Sequence, residues 1–222
     1  PLPFANADRL AYVYMTNPRS ADDRIEFPNR EFVALREAQT RFEQLAGWYE
    51  GTINLSDGER PERYSGAFVT ANLFDVLGDR PLLGRTLSAG DDRPGAAPVV
   101  VLGYTVWQDR FNGERGVIGQ RIRVNGRVAE VVGVMPRGFA FPRIEDVWVP
   151  VELDPAAGPG TIAMETLGLL RADATLAQAQ AEVSAISARL AAAAPERQLG
   201  SEAHVQALGD RLTSPQTRRI LY

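Results

Sequence analysis

The sequence predicts an α+β fold in which the two ends of the chain build one sheet and a mostly β block is inserted between them. Three observations carry this. A strand, a helix and a strand are legible at each end, and the middle is dominated by short alternating or continuous apolar runs. The stretch DPAAGPG, residues 154–160, punctuates the close of that middle block. With 222 residues, the chain can bury one large core or two smaller ones.

From the N-terminus, RLAYVYM (residues 9–15) alternates and is rich in tyrosine and valine, so it predicts a strand. In NREFVALREAQTRFEQLAGW, the residues Phe32, Leu35, Phe42, Leu45 and Tyr49 share one helical face. A single helix is therefore expected, with Asn29 as its N-cap and Gly47 as its stop. GTINLSDGERPERYSGAFVT predicts a hairpin turning at Ser56-Asp57-Gly58, and ANLFDVLGDRPLLGR a short helix ending at Gly78.

After a Gly/Pro/Asp loop over residues 91–98, PVVVLG is a continuous apolar strand. YTVWQDRFNG spaces Tyr104, Trp107 and Phe111 along one helical face closed by Asn112-Gly113. RIRVNGRVAEVVGVMP predicts a hairpin, because Asn125-Gly126 suits the two positive-φ positions of a type I′ turn. FAFPRIEDVWVPVEL is expected to be a proline-punctuated edge strand. Beyond the linker, METLGLLRA predicts a strand and TLAQAQAEVSAISARL a helix. In the helix, Thr175 and Gln178 form a capping box and Pro195 is the stop; AHVQAL closes as a strand.

Composition narrows the function. The formal net charge of −4 lacks the basic surplus of a nucleic-acid binder. All the positive charge is arginine, so lysine Schiff-base chemistry and a P-loop are excluded. Cysteine is absent, which removes disulfides, thiolate nucleophiles and cysteine metal sites. No apolar run approaches the ~18 residues of a membrane span. The chain starts without methionine, and a piece excised from a larger protein is expected.

Few residue types remain for chemistry. His204, the only histidine, alternates with Ala203 and Val205 and is expected to face solvent from a strand. Asp91-Asp92 and Glu145-Asp146 have the chemistry of an acid–base pair or of hard-cation ligands, but adjacent acids on Gly/Pro loops are more often solvated surface. No catalytic residue, metal site or cofactor is expected. Trp107 and Phe111 read as core. Phe139 and Phe141, straddling a loop in PRGFAFP, are the candidate partner contacts.

The stretch PVVVLGYTVWQDRFNGERGVIGQRIRVNGRVAEVVGVMPRGFAFP resembles a segment of the MacB-like periplasmic core domain found in bacterial ABC-transporter permeases of the MacB/FtsX-like family. The resemblance rests on Trp107, Arg110-Phe111, Val117-Ile118-Gly119, Asn125-Gly126, the run from Val131 to Pro136, and Gly138-Phe139. GAFVTANLFDVLGDRPLLGRTL upstream and LLRADATLAQAQAEVSAISARLA downstream resemble the neighbouring family segments. The departures are Leu169, where an arginine is common, and Ala172-Asp173, where Pro-Gly is common.

The resemblance implies a two-lobed extracytoplasmic domain. One lobe would be discontinuous and porter-like, residues 1–75 and 155–222, and the other an inserted mostly β lobe, residues 76–154. It also implies that the domain lies between two membrane helices of an inner-membrane permease and is not an enzyme. Its role would be to couple helix motion to periplasmic change. The implied partners are the cognate ATPase, reached through the membrane part; a second copy of the domain; and a periplasmic adaptor, lipoprotein or peptide. A stand-alone ligand-binding module is the alternative, and a carboxylate-dependent hydrolase the remaining one.

Overall fold

The computed structural model describes residues 4–16, 24–56, 61–143, 146–153, 162–193 and 201–213, with side chains to residue 210. The expected loop at residues 57–58, the linker 154–160, Glu145 and Pro195 lie outside the described residues.

In chain order the elements begin with β1 (Leu10–Thr16), β2 (Arg24–Ile25), β3 (Phe27–Pro28), α1 (Asn29–Ala38), β4 (Phe42–Ser56), β5 (Glu62–Val69), α2 (Leu73–Leu77) and β6 (Leu83–Gly84). They continue with β7 (Val99–Leu102), α3 (Tyr104–Phe111), β8 (Arg121–Val124), β9 (Arg127–Val134) and β10 (Val147–Pro150). The last are β11 (Ala163–Leu170), α4 (Leu176–Ala193), β12 (Glu202–Ala207) and α5 (Leu208–Thr213). The fold is mixed α+β, as the sequence predicts. It divides into two compact units: Pro1–Gly47, Asp75–Gly78 and Pro155–Tyr222 form the first, Trp48–Phe74 and Asp79–Asp154 the second. Residues 48–74 therefore lie in the second unit, whereas the sequence reading counted them with the first.

In the first unit the strand order is β12-β1-β11-β4, with β2 on β1 and β3 on β11. β1 lies between neighbours, and five of its seven residues, Leu10 to Val13 and Met15, are buried. α4 packs along β12 and α1, burying Ala179, Val183 and Ile186 on one face. Its start is a capping box: Thr175 N–H donates to Gln178 Oε1, and Gln178 N–H to Thr175 Oγ1.

The single helix expected from the Asn29 cap to the Gly47 stop is two elements. α1 stops after Ala38, and Gln39 is already extended. The backbone N–H groups of Thr40 and Arg41, with the Thr40 hydroxyl, donate to the Glu182 carboxylate. Phe42 N–H donates to Gln39 Oε1 at 2.8 Å. These acceptors satisfy the donors that a continued helix would have satisfied internally. Residues 45–48 of β4 are all buried, so no polar–apolar alternation marks the strand, and the aromatic spacing mimics a helix. Asn29 is the first helical residue rather than the cap, which is Pro28. Gly47 is not a stop: it sits in β4, where an added Cβ would lie 2.7 Å from Met164 Cε.

In the second unit, β4 pairs with β5, β5 with β10, β10 with β7, β7 with β9, β9 with β8, and β8 with β4 again. The six strands thus close a ring, and closure removes sheet edges. Inward residues alternate along every strand: Ile53 and Leu55, Ile122 and Val124, Ala129 and Val131, Val100 and Leu102. α3 adds Val106, Trp107 and Phe111 to that core. α3 ends with Asn112 in the left-handed region, as Asn112-Gly113 predicts.

The predicted hairpin is β8 and β9, with Asn125 at φ 49° and Gly126 at φ 83°, the signs of a type I′ turn. β6 joins β9 where Gly84 and Gly133 face each other. A Cβ on Gly133 would stand 2.0 Å from the Arg85 carbonyl oxygen. The expected edge strand is an interior one. β10 pairs on both sides, and its proline is the last residue, beyond the buried Val147 and Trp148.

Candidate functional site

The loop after β9 carries both candidate partner residues, and the structure treats them differently. Trp148 projects from β10 on the side opposite Val147, is fully buried, and donates its indole N–H to the Phe141 carbonyl at 2.8 Å. Phe141 is 5% exposed and packs edge-on against Trp48 at 4.9 Å. Phe139 meets Phe74 and Trp148 at 5.8 and 5.2 Å but is only half-buried. Phe141 is thus part of an aromatic layer over β10, which corrects the expectation that the loop offers it to a partner. Phe139 keeps accessible surface beside the exposed Arg137, Gly138 and Ala140, and Arg137 lies over the Tyr104 ring at 4.7 Å.

Asp91 and Asp92 have structural partners. Arg85 and the backbone of Ser88 hold Asp91. Burial alone would raise its pKa, but these donors and the Arg85 charge bring it below the ordinary 3.8. Asp92 accepts the Ala71 backbone N–H at 3.0 Å. The Asp146 pKa is raised by burial, partly offset by a hydrogen bond from the Ser65 backbone. Burial also raises Asp79, whose Oδ2 is buried without a partner among the described residues. Among the described residues no cluster of three His, Asp or Glu side chains has the arrangement to hold a metal ion.

His204 does not simply face solvent. It is half-buried, its Nε2 lies 2.9 Å from Thr16 Oγ1, and its ring stacks on Tyr14 at 5.3 Å. Arg24 lies over the same tyrosine and donates to Gln206. Strand register explains the grouping, since Tyr14 is opposite His204 and Tyr12 opposite Gln206.

That pairing has a consequence the sequence did not reveal. β1 and β12 run antiparallel through six residue pairs, from Ala11↔Ala207 to Thr16↔Glu202. The start of β1 and the end of β12 are therefore neighbours at one end of one sheet. No helix among the described residues is long and apolar enough to cross a membrane.

The MacB-like periplasmic core domain family matches residues 1–186. Among solved structures, the chain is similar to the periplasmic region of MacB from Actinobacillus actinomycetemcomitans (TM-score 0.68, 17% identity, 96% of this chain and 94% of that one). It is also similar to a domain of a candidate permease from Porphyromonas gingivalis (0.66, 13%, 99% of both chains). A third likeness is the extracellular domain of the noncanonic ABC-type transporter YknZ from Gram-positive bacteria (0.59, 15%, 89% and 99%). At these identities the likeness is one of fold. No curated protein matches the chain. With 186 residues matched, the chain belongs to the MacB-like periplasmic core domain family, the periplasmic domain of MacB/FtsX-like ABC-transporter permeases.

Proposed function

We propose that the chain is a non-catalytic extracytoplasmic domain that couples movement of a permease's transmembrane helices to a change in periplasmic arrangement. The carrying observation is the antiparallel β1–β12 pair, which sets Ala11, near the start of the described residues, beside Ala207, near their end. A domain inserted between two membrane helices needs that geometry, and displacement of either flank would be delivered to the same pair of strands. In this reading the first unit serves as the porter-like lobe and the second as the inserted lobe.

ABC permeases of this family work with ATPase partners, and here the ATPase would act through the membrane part. A second copy of the domain, as a dimer or fused duplicate, is the natural periplasmic neighbour. An adaptor, lipoprotein or peptide would contact the loop after β9 through Phe139, with Phe141 supporting it from the core.

The test is the parent gene on both sides of Pro1 and Tyr222. An apolar run of about 20 residues on each side is expected. A cleavable leader before the domain and a stop codon after it would overturn the coupling role in favour of a stand-alone ligand-binding module.

A further inference from the structure

The ring of the second unit is unevenly closed. β4 and β5 share eight register pairs, but among the described residues β4 and β8 share two, Leu55↔Val124 and Ser56↔Arg123. The β10–β7 junction is as short, yet Val101, Leu102, Val147 and Trp148 are all fully buried there. Gly103 N–H extends that junction by donating to the Asp146 carbonyl at 2.6 Å. The β4–β8 junction instead runs out into the exposed Asn54 and Asn125.

At that point a side chain stands in for backbone. Asn125 N–H donates to the Asn54 carbonyl at 2.9 Å. Asn54 N–H donates to Asn125 Oδ1, also at 2.9 Å. The positive φ of Asn125 alone does not call for this side chain, because glycine meets a type I′ turn equally well. What asparagine adds is the acceptor for Asn54.

We propose that Asn125 is a latch. Its side-chain carbonyl holds the β8–β9 hairpin against β4, and local opening of the ring starts at this seam. Water reaches both partners, so the latch is the cheapest of the ring's junctions to release.

Amide hydrogen exchange followed by NMR tests it. In Asn125→Gly the turn is kept and the acceptor removed. The amides of Asn54, Ser56, Arg123 and residue 125 should exchange about tenfold faster, the scale of one lost hydrogen bond. Amides of Val101 and Val131 should keep their rates. Asn125→Asp, which retains an acceptor oxygen and tolerates positive φ, should restore most of the protection. The proposal is overturned if Asn125→Gly leaves the seam amides unchanged, if it accelerates all ring amides alike, or if Asn125→Asp behaves as the glycine variant does.

Discussion

The sheet of the first unit ends at β12, whose outer edge has no strand beside it among the described residues, whereas the strands of the second unit return to their starting point. Both arrangements leave backbone groups to satisfy, and both use a side-chain amide. In the open sheet, Gln180 of α4 accepts Val205 N–H at 2.7 Å and donates to the Ala203 carbonyl at 2.9 Å, imitating a neighbouring strand. In the closed ring, Asn125 completes the β4–β8 junction. An edge can thus be blunted by a helix side chain where no strand lies beside it, and a side-chain amide can extend the ladder that shuts a ring. The difference is burial: Gln180 works in a part-buried setting and Asn125 in an exposed one.

The ring depends most on its aromatic layer. Trp148 is fully buried against Phe74 and Phe139, so Trp148→Ala should destabilise the protein by about 3–5 kcal/mol. Urea denaturation followed by circular dichroism measures this, and a loss under ~1 kcal/mol would mean the layer is dispensable.

Two glycine substitutions separate the units by what the new Cβ meets. In the ring, Gly133→Ala meets the Arg85 backbone carbonyl, which cannot yield without detaching β6, so a loss of about 3 kcal/mol is expected. In the open sheet, Gly168→Ala meets a Phe42 ring carbon at 2.3 Å, an obstacle of side chain rather than backbone, and about 1–2 kcal/mol is expected. The reverse order in thermal or urea melts would contradict the contrast between backbone and side-chain obstruction.

Gln180→Ala should lower stability by about 1 kcal/mol, because Val205 and Ala203 would regain partial access to water at an edge. Gln180→Glu keeps the acceptor for Val205 but loses the donor to Ala203, and it should fall between wild type and the alanine variant. Equal stability of all three would show that the edge needs no cover.

The smallest effect is in acid. Burial would raise the Glu182 pKa, but the donors on Thr40 and Arg41 bring it below its ordinary 4.5. Its contribution is therefore present above that pH and is lost as pH falls through the lower folded value. Asp79 and Asp146 carry raised values, so their charged forms disfavour the fold, and that penalty is relieved as pH falls toward their ordinary 3.8. As pH falls below the ordinary carboxylate range, the Glu182 contribution in the first unit and the Asp91 contribution in the second should be lost, while the penalty at Asp79 and Asp146 is relieved. Glu182→Gln should flatten the acid limb of a stability–pH curve, and an unchanged limb would show that the Thr40–Arg41 turn does not depend on the carboxylate.

Legibility followed the range of the interaction that decides each element. The β8–β9 hairpin, the capping box of α4 and the Asn112 stop of α3 are set by neighbouring residues, and the sequence showed each. The first part of β4, from Phe42 to Gly47, reads as helix because residues 45–48 are all buried, whereas its later part, from Gly51, reads correctly as a strand of a hairpin. β10 was misplaced at an edge because its proline, read without its neighbours, suggested one. Phe139 and Phe141 look alike in PRGFAFP, and only Trp48 and Trp148, brought in from elsewhere, separate the buried ring from the half-exposed one. The clasp of Asn54 and Asn125 joins residues 71 apart and left no local signature.

The central claim is that motion of the membrane helices enters the domain through β1 and β12. It is tested most directly by hydrogen exchange of the full-length permease in lipid, with and without ATP, read by mass spectrometry over residues 10–16 and 202–207. The account predicts a nucleotide-dependent change in protection in both strands together. Identical protection of both strands in the two states, with the ATPase turning over, would contradict it.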